Sequence, residues 1–187
     1  IIDLDHMTSG AIVNFTNTGT ITQGAPTNGT NNAYSGNVDA SDSTDEINFT
    51  NSGTIQSAKQ VIMLDGSTNF TLTNSGTIKE DGYGVDYPEN SSFGKFNVSD
   101  ANAGTWYTYS TIAVGDSGSG ATIINSGTIS ASHQNNHGIT IGDNTEDAAH
   151  SNATIENSGT ISAGSDDFAR AIIIIPSASG TITSGTT

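Results

Sequence analysis

The pentapeptide Asn-Ser-Gly-Thr-Ile occurs four times unchanged, at Asn51–Ile55, Asn74–Ile78, Asn125–Ile129 and Asn157–Ile161. A near copy, Asn-Thr-Gly-Thr-Ile, stands at Asn17–Ile21. Two degenerate copies, Asn102-Ala103-Gly104-Thr105-Trp106 and Ala178-Ser179-Gly180-Thr181-Ile182, complete a series of seven. Successive copies start 34, 23, 28, 23, 32 and 21 residues apart. A unit this small buries its apolar face only against its neighbours, so the chain is expected to stack as a solenoid. The basic step is one turn, and the longer steps carry insertions.

Each copy has the same surroundings. Two residues before the Asn stand Phe15, Phe49, Leu72, Ile123 and Ile155, and four before it Val13, Ile47, Phe70, Ala121 and Ala153. Between them lie Asn14, Asn48, Thr71, Thr122 and Thr154. Alternation of period two places a strand before every Asn, apolar side inward. The Asn-Ser-Gly makes a corner, for which Gly supplies positive φ and Asn or Ser bonds to nearby backbone. A second strand follows, with Ile21, Ile55, Ile78, Trp106, Ile129, Ile161 and Ile182 inward. A third carries Val61 and Met63, Val85, Ile112 and Val114, Ile139 and Ile141, and Ile172 and Ile174. Ile112 and Val114 follow Asn102 by ten and twelve residues, as Val61 and Met63 follow Asn51, which supports a turn at Asn102.

Three strands and three corners per turn describe an all-β, single-stranded parallel β-helix of about seven turns spanning residues 1–187. The repeat positions Asn17, Gly19, Ile21, Asn51, Gly53, Ile55, Asn74, Gly76, Ile78, Asn102, Gly104, Trp106, Asn125, Gly127, Ile129, Asn157, Gly159 and Ile161 are read as structural. Gly makes the bend, Ile fills the core, and stacked Asn side chains satisfy one another in a ladder.

Composition narrows the function. Only 33% of residues are hydrophobic, too few for a globular core unless they recur at fixed places, as here. The net charge is −15, with Lys59, Lys79, Lys95 and Arg170 the only lysines and arginine. Phosphate backbones and anionic membranes would repel such a chain, so no nucleic-acid partner and no membrane insertion of this segment are expected. There is no cysteine, hence neither a disulfide nor a thiolate site. The longest apolar run, Ala171–Ile175, suits one buried strand and falls far short of a membrane span. His6-Met7 reads as a cloning remnant, and the chain reads as a fragment of a longer protein.

The repeated Asn-Ser-Gly-Thr-Ile, the lack of cysteine and the coils rich in Thr, Ser and Asn resemble the passenger region of a bacterial autotransporter. The resemblance runs from about Val13 to Ile182. It implies a right-handed β-helix, secretion across the outer membrane of a Gram-negative bacterium, and display on the outer cell surface. It also implies anchorage by another part of the polypeptide.

Chemistry is sought in the insertions, because loops on a rigid scaffold tolerate variation. Asp39, Asp42, Asp45 and Glu46 offer oxygens to Ca2+ without the spacing of a known calcium loop, and are read as a solvated acidic loop. Asp143, Glu146 and Asp147 are read likewise. His133 and His137 are four apart, a metal-binding spacing on a helix, but their segment has no helical periodicity. Asp166 and Asp167 are adjacent, whereas glycoside hydrolysis needs two carboxylates facing across a sugar. No catalytic residue, metal or cofactor is therefore assigned. The aromatic residues cluster between Tyr83 and Tyr109, and Tyr83, Tyr87, Tyr107 and Tyr109 are the candidate recognition surface, for a glycan or protein of a host or bacterial cell. The expected function is that of a non-enzymatic adhesin or stalk. Its rivals are a filament or coat that self-associates through strand edges, and a carbohydrate-active β-helix enzyme.

Overall fold

The computed structural model describes residues 2–4, 10–23, 38–40, 45–57, 61–64, 69–81, 96–100, 104–108, 110–114, 119–132, 136–141, 152–165, 169–174 and 179–184. Regular structure among them is entirely β, and most of it lies in three parallel sheets. The first sheet holds the strands that run into the Asn corner. In stacking order these are Ile12–Asn17, Glu46–Asn51, Phe70–Asn74, Ser119–Asn125, Asn152–Asn157 and Ser179–Ser184. The second holds the strands that leave the corner: Thr20–Gln23, Thr54–Ser57, Thr77–Glu80, Thr128–Ala131 and Thr160–Ser162. Ile2–Asp3, Val38–Asp39, Ile62–Met63, Ser110–Val114, His137–Ile141 and Ile172–Ile174 form the third. Along the chain a strand of the third sheet is followed by one of the first and one of the second, and the circuit repeats. This is a parallel β-helix of about six turns.

Side chains stack in columns because equivalent strands lie in register, about 4.8 Å apart. In the first sheet Phe15 pairs with Phe49 and Phe49 with Leu72, and Ile123 sits between Leu72 and Ile155. The Phe15 and Phe49 rings stack with centroids 4.8 Å apart, and Phe49 lies 6.4 Å from Phe70. In the second sheet Ile21, Ile55, Ile78, Ile129 and Ile161 form one unbroken column. Its middle three members are fully buried and its outer two partly so. Each central Ile thereby contributes about 1.5–3 kcal/mol of transfer free energy, and this thin column is much of what holds the rod together. Thr20, Thr54, Thr77, Thr128 and Thr160 alternate with these Ile residues on the outer face.

Four expectations need correction. The segment at Asn102 is not a turn. Gly104–Thr108 pairs antiparallel with Phe96–Asp100, Val98 opposite Trp106, as a separate two-stranded hairpin. The stack passes directly from Asn74 to Asn125, so Gly104 and Trp106 occupy no Gly or Ile slot, and Asn102 lies outside the described residues. Antiparallel pairing wins locally because the two strands are joined by only three residues, so closing the loop costs little chain entropy.

Ile112 pairs with Ile62, not Val61, and Ala113 with Met63. Val61 is fully buried as expected, but so are Ile62 and Leu64, and it is Met63, expected inward, that is only half-buried between them. The apparent match of spacings between Asn51 and Asn102 was a coincidence one residue out of register.

Ser179–Ser184 belongs to the first sheet rather than the second: Ile182 pairs with Ile155, and Ser184 with Asn157. The last Gly-Thr-Ile is thus part of a strand entering a corner, and Ser184 takes the Asn position.

Finally, positive φ among the described glycines is confined to Gly10 and Gly120, so the corner glycines do not need it. They need room. A Cβ on Gly53, Gly76, Gly127 or Gly159 would lie 2.0–2.2 Å from the carbonyl oxygen of the corner glycine before it in the stack.

Candidate functional site

The most regular polar feature of the rod is its Asn corner. The Asn17 Nδ2 donates to Asn51 Oδ1 at 2.8 Å, Asn51 to Asn74 at 2.8 Å, Asn74 to Asn125 at 2.7 Å and Asn125 to Asn157 at 2.7 Å. Each amide also points at the carbonyl of its own corner Gly, 3.3 Å away for Asn17, Asn51, Asn74 and Asn125, so its donors are satisfied without water. At Asn17, the first rung among the described residues, Oδ1 accepts from Gly19 N at 3.2 Å. The backbone completes the joint: Ser126 and Gly127 both donate to the Asn74 carbonyl, at 2.8 and 3.1 Å, and the other corners repeat the pattern. Asn51, Asn74 and Asn125 are essentially inaccessible to solvent. From Asn17 to Asn125 the ladder is consequently a structural seam whose side-chain donors are already used.

Acidic side chains are distributed differently from the sequence expectation. Asp45 is buried and accepts from Gly10 N at 2.8 Å, so it fastens one strand entrance rather than lying in a solvated loop. Glu46 is exposed and accepts from Asn48 at 3.0 Å, and Asp39 is half-buried. Glu80 is fully buried, a placement the sequence reading missed; its Oε2 accepts from Ser132 N at 3.2 Å. The signal was present, since Glu80 stands two residues after the inward Ile78 and alternation directs it inward. On the outer face Lys79 pairs with Asp81 at 3.3 Å, and Gln56 donates to the same carboxylate. A pair this exposed contributes little to stability. Among the described residues no three His, Cys, Asp or Glu side chains gather as metal ligands. Asp42, Asp143, Glu146, Asp147, Asp166 and Asp167 lie outside the described residues.

His137 lies on the third sheet, in a strand and not a helix, and only 1% of it is exposed. Its Nδ1 accepts from Arg170 N at 3.0 Å. Its Nε2 is buried without a hydrogen-bond partner among the described residues. Burial, reinforced by the Arg170 charge, lowers its pKa from 6.5 to about 4, so the imidazole is neutral at pH 7. His133 lies outside the described residues.

Of the aromatic surface, Tyr83, Tyr87 and Tyr109 lie outside the described residues. Tyr107 is on the hairpin, paired with Asn97. Among the described residues no helix is long and apolar enough to cross a membrane. No protein-family model matches the chain, and neither a curated protein nor a solved structure does. What the residues define is a class of architecture, a three-sided parallel solenoid with one hairpin inserted between its third and fourth strands of the first sheet.

Proposed function

We propose that this chain is a non-enzymatic segment of a surface-displayed, autotransporter-like protein of a Gram-negative bacterium, acting as stalk or adhesin. The observation that carries the reading is the in-register stacking of the corners, with side-chain bonds joining every pair of rungs from Asn17 to Asn157. Such a joint resists shear along the rod, because each sliding step would unpair buried amides. The outer faces present rows of Thr, Ser and Asn. Contacts from such rows to a glycan or protein of a neighbouring cell are individually slight and gain strength by number.

Beads coated with the chain should retain cells or immobilised glycans above beads coated with an unrelated acidic protein. The chain should also leave pectin and alginate uncut, with or without Ca2+. New reducing ends or unsaturated products would replace this reading by the enzyme one. A second reading is self-association through strand edges. Light scattering against concentration separates the two: a mass that rises with concentration supports the filament.

A further inference from the structure

His137 and Arg170 are joined across 33 residues of sequence by a short reciprocal tie. The Arg170 N–H donates to the imidazole Nδ1 at 3.0 Å, while the Arg170 carbonyl accepts from Gly138 N at 3.1 Å. The next bond, Ile139 N to the Ala171 carbonyl, is 2.9 Å, and from there the strand Ile172–Ile174 pairs along Ile139–Ile141. The fit is close: a Cβ on Gly138 would come within 2.6 Å of the Ala171 carbonyl oxygen. Beyond the tie this strand is held by its pairing with Ile139–Ile141 and by Ile172 against the core. Ile172 and Ile173 are only partly buried and Ile174 is exposed.

The imidazole accepts at Nδ1 only while that nitrogen is unprotonated. Protonation turns the acceptor into a donor facing another donor, and places a cation where no group among the described residues bonds Nε2. The strands packed around His137, namely Ser110–Val114, Thr128–Ala131, Thr160–Ser162 and Ile172–Ile174, carry no titratable side chain. The charged group that faces it among the described residues is Arg170, of the same sign, its Nη1 donating to the Ala169 carbonyl. Asp166, Asp167 and His133 lie outside the described residues.

We propose that His137 is an acid-sensitive latch, which holds the segment Arg170–Ile174 on the rod and releases it when the imidazole takes up a proton. The release is local, because the turns on the other side of His137 are held by the Asn ladder and the buried Ile column, which do not titrate. The sign follows from the lowered pKa. The latch is intact above the ordinary histidine value of 6.5 and is lost progressively as the pH falls toward about 4. The opening equilibrium gains about tenfold per pH unit over that window, about 300-fold in all.

The test is nuclear magnetic resonance of the intact chain between pH 7 and 3.5, following the His137 ring nitrogens and amide exchange corrected for intrinsic rates. Expected is loss of protection at Arg170, Gly138, Ile139 and the Ile172–Ile174 amides in step with imidazole protonation, while Ile55 and Ile78 stay protected. In His137→Asn the side-chain carbonyl stands in for Nδ1 and does not titrate. That variant should keep the segment protected at pH 4. If all turns of the wild type open together, or the imidazole protonates without exposing Arg170, the latch is wrong. Opening of the variant at the wild-type pH overturns it equally; should that variant fail to fold, the first two readouts on the wild type decide.

Discussion

Asn74 donates its side-chain amide to Oδ1 of Asn125 at 2.7 Å, although 51 residues of sequence separate them. The same amide position in Asn51 reaches Asn74 at 2.8 Å over only 23 residues. Asn74 is thus both acceptor and donor in a buried row. Asn74→Ala would strand the amide of one neighbour and the carbonyl of the other, at a cost of about 2–4 kcal/mol. Asn157→Ala, at a half-buried rung, should cost about 1 kcal/mol. Urea midpoints measure the difference, and equal losses would mean that the ladder is decorative.

The corner glycines differ by position in the stack. Gly127→Ala would place a Cβ 2.1 Å from the Gly76 carbonyl oxygen, and both atoms belong to backbone with little freedom to retreat. A destabilisation of about 3 kcal/mol or more is expected, at the upper end of overpacking effects. At Gly19 a Cβ meets nothing within 4 Å, so Gly19→Ala should change stability by less than about 0.5 kcal/mol. Thermal melts of the pair decide whether room or backbone conformation selects Gly here.

Inside and outside are tested by Ile129 and Thr122. Ile129 is fully buried in the central column, and Ile129→Asn should cost about 3–5 kcal/mol through lost contact and an amide without partners. Thr122 is half-buried between the inward Ala121 and Ile123, and Thr122→Asn should cost well under about 1 kcal/mol. Similar melting of the two variants would contradict the register.

The hairpin should be dispensable for the rod. The five residues 132–136 suffice to join Ala131 to His137 elsewhere in the stack. Replacing residues 82–109 by a linker of that length should alter stability by less than about 1 kcal/mol, since the loop shortens without breaking a rung. Circular dichroism melts give the answer. A chain that no longer folds would show that the hairpin completes the core.

The legible part of the fold was the part written by repetition. Columns such as Ile55–Ile78–Ile129 follow from alternation around an invariant pentapeptide, and the Asn ladder follows from burying the same amide at every corner. Trp106 misled because a spacing of ten and twelve residues carries no information about strand direction, and a short loop lets two neighbouring strands pair antiparallel first. Ile182 misled because Gly-Thr-Ile reads the same before a corner as after one; its pairing with Ile155 is a long-range fact. His137 was judged by its distance from His133. Its actual partner is the backbone of Arg170, one turn further along the rod, which no local pattern reveals. For Glu80 the alternation was sufficient and was not applied.

The ladder bond between Asn74 and Asn125 is as short as the one between Asn51 and Asn74, though the first spans an extra hairpin. The joint takes no notice of what hangs between its ends. Such a seam behaves like a zipper whose teeth close regardless of the cloth gathered beside them. New segments can therefore be sewn into the sides of the rod, at any turn, while its spine stays in step.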